Sequence, residues 1–168
     1  MLLRATAFVL LFVSLAAYAV NPGEPAPEIA GFAIGDGHPV KLSDFRGKVV
    51  YLDFWASWCA PCKVSLPKLQ QMRDELAPSG LEVIGVNLDS DETKAHAALD
   101  AGGAHYPMIR GVDPKTIEAY GILKMPGAYL IDRDGVVRYS YQGFSERGFA
   151  AVRPIVESLV KNGKAPPL

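Results

Sequence analysis

The sequence predicts one α/β domain in which a central mixed β-sheet is flanked by helices. Short apolar runs typical of buried strands alternate with segments of helical periodicity, and two strand-like runs around a tight turn follow them. Both cysteines lie in the segment Cys59-Ala60-Pro61-Cys62, between a strand-like run and a helix-like run. The chain of 168 residues is long enough for one hydrophobic core and short for two.

The N-terminus has the pattern of a secretory signal peptide. Residues 1–4 are a short basic segment, residues 5–16 are apolar, and Ala17-Tyr18-Ala19 matches an A-x-A cleavage site. We therefore expect residues 1–19 to be removed on export. An uncleaved membrane anchor is the less favoured alternative, because the apolar stretch is shorter than the roughly 20 residues of a spanning helix.

A proline-rich segment and a hairpin precede the central strand. Residues 20–27 are expected to form a flexible, extended lead-in, since their prolines prevent a helix or a central strand. The domain is expected to occupy residues 28–168. It begins with segments 28–34 and 38–42, which flank Gly35-Asp36-Gly37 and predict a β-hairpin.

An acidic residue interrupts the most apolar run of the chain. The run from Val49 to Phe54 predicts a strand that is buried on both faces, and only Asp53 breaks it. A buried carboxylate costs free energy unless its pKa shifts or it finds a partner. Asp53 is therefore a candidate acid–base group, with a solvated position at the strand end as the alternative.

Similar patterns predict the remaining elements. Residues 61–77 have helical periodicity, and Pro67 is expected to kink that helix. The later elements, in chain order, are a strand at 81–88, a helix ending near 100, an extended piece at 106–110, a helix at 114–120, strands at 127–131 and 136–142, and a helix at 146–161.

The position of the cysteine pair at a predicted helix N-terminus indicates redox chemistry. Free N–H groups and the helix dipole favour a thiolate there, so Cys59 is predicted to be an exposed nucleophile of low pKa, and Cys62 the resolving cysteine. Two thiolates are too few for structural zinc, and Lys63 stands where a c-type haem site needs histidine. A purely structural disulfide would constrain little of the unfolded chain, because the loop it closes is short.

Charge and histidine placement exclude several other functions. The formal net charge is −1, and no cluster of lysine and arginine indicates binding to nucleic acid or to a membrane surface. His38, His96 and His105 are scattered, and none stands at metal-ligand spacing from another. We therefore expect no resident metal or cofactor.

Two segments resemble a known family. Asp53 to Cys62, with the sequence DFWASWCAPC, resembles the active-site segment of thioredoxin-fold proteins. The chain from about residue 27 to the last helix resembles the TlpA/ResA/CcmG branch of periplasmic thiol:disulfide oxidoreductases. The hairpin followed by LSDFRGK at residues 42–48 resembles an N-terminal extension that this branch shares with peroxiredoxins. The resemblance implies a thioredoxin-like fold and a periplasmic location, and we expect a monomer.

The resemblance also implies roles for individual residues. Asp53 matches the buried aspartate that exchanges a proton with the resolving Cys62, often through water. Pro126 resembles the cis-proline that faces the C-x-x-C segment, and the backbone of Met125 is then expected to pair with an extended substrate segment. Trp58 is expected to shape the contact surface.

The implied function is reduction of protein disulfides, with electrons from a membrane thiol transporter of the DsbD/CcdA type. Implied substrates are apocytochrome c or the copper-site cysteines of oxidase assembly. A dithiol oxidase or isomerase differs mainly in reduction potential. A peroxidase is disfavoured, because Leu52 and Ala56 replace the proline and threonine of peroxiredoxins. A Cu(I)-binding assembly factor would use the same two thiolates but usually needs further ligands.

Some positions depart from the pattern of the family. Ser65 stands where many ResA-like proteins have glutamate, and Asp53 stands where many of them have asparagine. Gly85 aligns approximately with a lysine that lies near the aspartate of thioredoxin. Gly127 and Ala128 replace the usual threonines after the proline, so the fit to substrate is expected to differ.

Overall fold

The computed structural model describes residues 19–163, which form a seven-stranded mixed β-sheet with helices on both faces. The strands are β1 Ala30–Ala33, β2 Pro39–Lys41, β3 Val49–Trp55, β4 Leu81–Asn87, β5 Met108–Arg110, β6 Gly127–Ile131 and β7 Val137–Gln142. The helices are α1 Ala60–Leu76, α2 Glu92–Gly102, α3 Pro114–Ala119 and α4 Glu146–Asn162, and short 3-10 turns occupy Leu42–Phe45 and Ala77–Ser79. The predicted signal peptide lies outside the described residues except for Ala19.

The sheet places β3 at its centre. The strand order is β2-β1-β5-β4-β3-β6-β7, in which β3, β4 and β5 are parallel, whereas β6, β7 and the N-terminal hairpin are antiparallel additions. This is the thioredoxin-like arrangement with an N-terminal hairpin that the sequence predicted. The hairpin pairs with β5 and so extends one edge of the sheet.

The core has two halves, one on each face of the sheet. Tyr51 and Trp55 of β3 pack with α1, α2 and α4, whereas Leu52 and Phe54 pack with α3 and the N-terminal segment. All seven residues of β3 are buried, because both faces of the strand are covered. The apolar run therefore becomes a central strand, as predicted.

Local signals in the sequence set the helix ends. Asp91 accepts a hydrogen bond from the backbone N–H of Thr93 at the start of α2, and Ser145 accepts one from Gly148 at the start of α4. Helix α2 ends at Gly102 and is capped by Gly103, whose φ of 61° is the left-handed conformation that glycine adopts easily. Pro67 lies inside α1 and Pro154 inside α4.

The expectation of a flexible lead-in at residues 20–27 is wrong. The N–H of Val20 donates to the carbonyl of Ala119 at 2.9 Å, and the N–H of Ala26 donates to the carbonyl of Gly135 at 2.9 Å. Both side chains are buried in the core on that face. Each proline lacks a backbone N–H group, but the residues between the prolines still have one. The extended segment can therefore form hydrogen bonds with the turn before β7.

Candidate active site

Cys59 and Cys62 form a disulfide at the N-terminus of α1, with Cα atoms 5.2 Å apart. Cys59 is the residue that caps the helix, and its Sγ accepts a hydrogen bond from the backbone N–H of Cys62 at 3.2 Å. Pro61 lies in the first turn, where a missing N–H removes no helical hydrogen bond. After reduction, the same N–H group and the helix dipole would stabilise a thiolate on Cys59.

The two sulfur atoms differ in access to solvent. Cys59 is 6% exposed and lines a surface groove, whereas Cys62 is fully buried. The prediction of an exposed Cys59 is therefore wrong for this oxidised form, because the disulfide and the surrounding groove cover most of its surface. A partner that enters the groove reaches Cys59 before Cys62.

The loop before the disulfide is held by a carboxylate. The backbone N–H and the hydroxyl of Ser57 each donate to Asp89 at 2.8 Å, and Asn87 Nδ2 donates to Asp89 Oδ2 at 2.7 Å. These contacts fix the segment after β3 to the end of β4. The sequence reasoning did not identify this contact, because Ser57 and Asp89 meet only when the two parallel strands align.

Asp53 lies in the middle of β3 and is 1% exposed. Tyr51, Asp53 and Trp55 are two positions apart along the strand, so their side chains share one face of the sheet. Cys62 is buried on the same face. The Oδ2 of Asp53 has no hydrogen-bond partner among residues 19–163. Burial raises the pKa of this carboxyl well above its ordinary value.

The position next to Asp53 on β4 carries no side chain of its own. Gly85 pairs in register with Asp53, and a Cβ atom there would lie 2.2 Å from Met108 Sδ and 3.0 Å from Trp55 Nε1. The side chain of Met108 therefore fills the space beside Gly85. This thioether supplies no positive charge that would lower the pKa of Asp53.

Three tyrosines near Asp53 were not identified from the sequence. The charge of the Asp53 carboxyl contributes, after burial, to raising the pKa of Tyr51, Tyr106 and Tyr141. These residues come from β3, from the segment before β5, and from β7. Alternation on β3 could have placed Tyr51 beside Asp53, but only the tertiary pairing of strands brings the other two close.

An apolar groove of about 570 Å³ borders Cys59. Its lining residues are Trp58, Cys59, Ala60, Pro61, Leu88, Ile117, Ile122, Leu123, Lys124 and Met125. Trp58 is 69% exposed and Leu123 is 89% exposed, which is unusual for large apolar side chains. The groove can therefore bury an apolar segment of another molecule against the disulfide.

Met125 lines this groove, and Pro126 follows it directly in the chain. The peptide bond between them is cis, as the resemblance implied, and Met125 is half-buried in the groove wall. Pro126 is buried, and its carbonyl accepts a hydrogen bond from the N–H of Gly143 at 2.7 Å. The structure thus brings Trp58, Cys59 and Met125 to one surface, with Cys62 beneath it.

Ser65 takes no part in this surface. It is buried, and its hydroxyl donates to the carbonyl of Cys62 at 2.9 Å. Within residues 19–163 no group of three or more histidine, cysteine, aspartate or glutamate side chains could hold a metal ion. In the same range, none of the helices combines the length and the apolar character needed to cross a membrane.

Comparison with known proteins places this geometry among redox proteins. The AhpC/TSA family matches residues 22–140. The thiol-disulfide oxidoreductase ResA of Bacillus subtilis is 30% identical over 120 residues, which cover 70% of this chain and 65% of that protein. The ResA protein of Geobacillus kaustophilus is 29% identical over 143 residues, covering 81% of this chain and 80% of that protein.

Solved structures have the same fold and similar sequences. A Chlorobium tepidum protein assigned as a thiol:disulfide interchange protein DsbE superposes with a TM-score of 0.78 and 38% identity, over 84% of this chain and 99% of that one. A Bacteroides thetaiotaomicron protein assigned as a protein disulfide isomerase gives a TM-score of 0.76 and 28% identity, over 86% and 92%. The C-x-x-C pair of the chain described here is thus a redox centre of the thioredoxin type.

Proposed function

Because this chain belongs to the AhpC/TSA family of thioredoxin-fold proteins, we propose that it is an exported thiol-disulfide oxidoreductase that reduces disulfides in other proteins. The observation that carries this proposal is the Cys59–Cys62 disulfide at the start of α1, with Cys59 in an apolar groove and Cys62 buried behind it. This arrangement separates an attacking sulfur from a resolving sulfur. The names of its ResA and DsbE relatives support the same chemistry.

The reaction begins with the reduced protein. The thiolate of Cys59 attacks one sulfur of a substrate disulfide, so a mixed disulfide forms while the substrate S–S bond breaks and one substrate thiolate leaves. Asp53 takes the proton of Cys62, and the resulting thiolate attacks the sulfur of Cys59. The Cys59–Cys62 disulfide forms, the second substrate thiolate leaves, and two electrons have passed from the protein to the substrate.

The exposed apolar side chains of the groove favour a protein segment over a small molecule as the substrate. An extended segment can lie between Trp58 and Met125 and bury apolar side chains against Leu123, whose exposed surface is otherwise costly in water. Backbone pairing with Met125, beside the cis-proline Pro126, would orient the substrate disulfide toward Cys59. These residues would therefore act in substrate binding.

Continued reduction needs an electron donor. Export of the chain would place it in the periplasm, where thiols tend to be oxidised, so a donor dithiol must reduce the Cys59–Cys62 disulfide after each cycle. A membrane thiol transporter of the DsbD/CcdA type would supply it. We propose cysteine pairs of apocytochrome c or of oxidase copper sites as substrates, and a monomer as the acting form.

The first experiment is the reduction potential of the Cys59–Cys62 couple, measured by equilibration with glutathione or dithiothreitol buffers. A value of about −270 mV supports a reductase, whereas a value of about −120 mV would identify an oxidant that introduces disulfides. A couple that does not equilibrate with either buffer, or that does not exchange with a protein disulfide, would contradict oxidoreductase activity of either direction.

A further inference from the structure

The mechanism leaves the proton of Asp53 without a route to solvent. If the proposed function is correct, Asp53 takes a proton from Cys62 in each cycle and must pass one to water before the next. The carboxyl is 1% exposed, so bulk water does not contact it directly. Its proton therefore has to move through neighbouring groups that can both donate and accept hydrogen bonds.

The strand register places a tyrosine of β7 directly across the sheet from Asp53, two strands away. Asp53 pairs with Ala128 on β6, and Ala128 pairs with Tyr141 on β7. Paired residues share one face of the sheet, and between Asp53 and Tyr141 that face carries only the methyl group of Ala128. A larger side chain at position 128 would separate the carboxyl from the tyrosine.

Tyr141 is joined to a second tyrosine on the same face. Its hydroxyl is hydrogen-bonded to the hydroxyl of Tyr51, which lies two residues before Asp53 on β3. Burial is the main cause that raises the pKa of Tyr51, and it raises that of Tyr141 to about 12, so both hydroxyls keep their protons at neutral pH. Each can then donate one hydrogen bond and accept another.

Of the two tyrosines, Tyr141 is the more exposed, so a route from Asp53 to solvent would end at its hydroxyl. Tyr51 is buried, whereas Tyr141 is half-buried and lines a surface groove with Lys124, Gln142 and Ser145. On the opposite side of Asp53, Met108 closes the space beside Gly85. Tyr106 also lies there, but it is buried and its hydroxyl has no hydrogen-bond partner among residues 19–163.

We propose that the hydrogen-bonded hydroxyls of Tyr51 and Tyr141 carry protons between the Asp53 carboxyl and the surface groove beside Tyr141. The Oδ2 of Asp53 has no hydrogen-bond partner among residues 19–163, so it is free to form a transient hydrogen bond with a tyrosine hydroxyl, which would be the first link of this chain. In the outward direction the carboxyl gives its proton to one tyrosine hydroxyl, that hydroxyl passes its own proton to the next, and the last proton goes to water. One O–H bond forms for each that breaks, and no electron is transferred.

The test is steady-state reduction of a protein disulfide, in which a dithiol buffer re-reduces the Cys59–Cys62 disulfide after each cycle and the rate without the protein is subtracted. Tyr141→Phe and the double variant Y51F/Y141F should each lower the turnover rate about a hundredfold, at the low end of the contribution of a positioned proton-transfer group. The kinetic solvent isotope effect should rise, because proton transfer becomes the slow step. The reduction potential and the midpoint of the pH–rate profile should stay as in the parent protein, since a relay changes rates and not equilibria.

Two further variants serve as controls. Tyr139→Phe removes a hydroxyl from a half-buried ring whose centroid lies 6.1 Å from that of Tyr141, and it should leave the rate unchanged. Tyr106→Phe tests the other hydroxyl near Asp53. The proposal is overturned if Tyr141→Phe keeps the parent rate, if Tyr106→Phe alone slows turnover, or if the rate loss is matched by a shift in potential or pH midpoint. Lack of turnover by the parent protein would instead refute the proposed function.

Discussion

The sulfur of Cys59 lines the groove, whereas Cys62 is buried behind it, so the two positions should respond differently to the same substitution. Cys59→Ser should abolish reduction of a protein disulfide, because no attacking thiolate remains. Cys62→Ser should leave the first attack intact and accumulate a mixed disulfide on Cys59. Non-reducing electrophoresis and mass measurement of the adducts check both results. Adducts on the Cys59→Ser protein, or none on the Cys62→Ser protein, would reverse the assignment.

The raised pKa of Asp53 makes stability depend on pH. The folded protein holds the proton of this carboxyl more tightly than the unfolded chain, so the stabilising contribution is complete below about pH 4 and is lost as the pH rises toward the raised pKa. Asp53→Asn removes the buried charge. It should raise the free energy of unfolding at pH 8 by roughly 1–3 kcal/mol and change it little at pH 4.

Denaturant titrations of the oxidised protein at the two pH values measure this difference for Asp53→Asn. Asp36→Asn is a suitable control, because Asp36 lies on the surface and its lowered pKa comes from His38 rather than from burial. An equal change at both pH values for Asp53→Asn would show that shape, and not ionisation, determines its effect.

At the scale of the elements, two glycines allow close approach between strands, but with different neighbours. A Cβ on Gly31 of β1 would lie 2.3 Å from the backbone carbonyl oxygen of Arg110, which β5 holds in place. A Cβ on Gly85 of β4 would meet the flexible end of Met108 instead. Gly31→Ala should therefore lower the free energy of unfolding by roughly 1–3 kcal/mol, and Gly85→Ala by less.

Thermal and denaturant unfolding of the two alanine variants compare these costs directly. Gly85→Ala should cost less in a Met108→Ala background than in the parent protein, since the side chain that the new methyl group displaces is then absent. A larger cost at Gly85 than at Gly31 would mean that the side chain of Met108 is held more rigidly than the backbone of β5.

At the scale of the whole molecule, the lead-in is part of the folded domain. Val20 and Ala26 are buried, and their N–H groups pair with α3 and with the turn before β7. Val20→Asp or Ala26→Asp should lower the melting temperature by roughly 3–8 °C, because each buries a charge without a partner. Pro22→Asp, at an exposed position of the same segment, is the matched control. Equal melting temperatures for all three variants would mean that the segment adds no stability.

Much of the fold could be predicted from the sequence, because its signals are local. The apolar run at residues 49–54, the helical periodicity of residues 61–77 and the glycine turn of the hairpin each specify an element within a few residues. The cysteine spacing identified the redox centre in the same way. The packing of residues 20–27 against the domain was not predicted. It depends on backbone N–H groups that pair with carbonyl groups far away in the sequence, and no local pattern shows such pairs.

The sequence by itself determined the chemistry of this protein, since a C-x-x-C pair at a helix start and a carboxyl in an apolar strand are specified by neighbours along the chain. Only the tertiary structure decided how that chemistry is connected. The register of β3, β6 and β7 places Asp53 in one row with Tyr141, and the pairing of β3 with β4 brings Asp89 to Ser57. The physical reason is that hydrogen bonds between strands fix which side chains share a face, and these bonds join residues far apart in sequence.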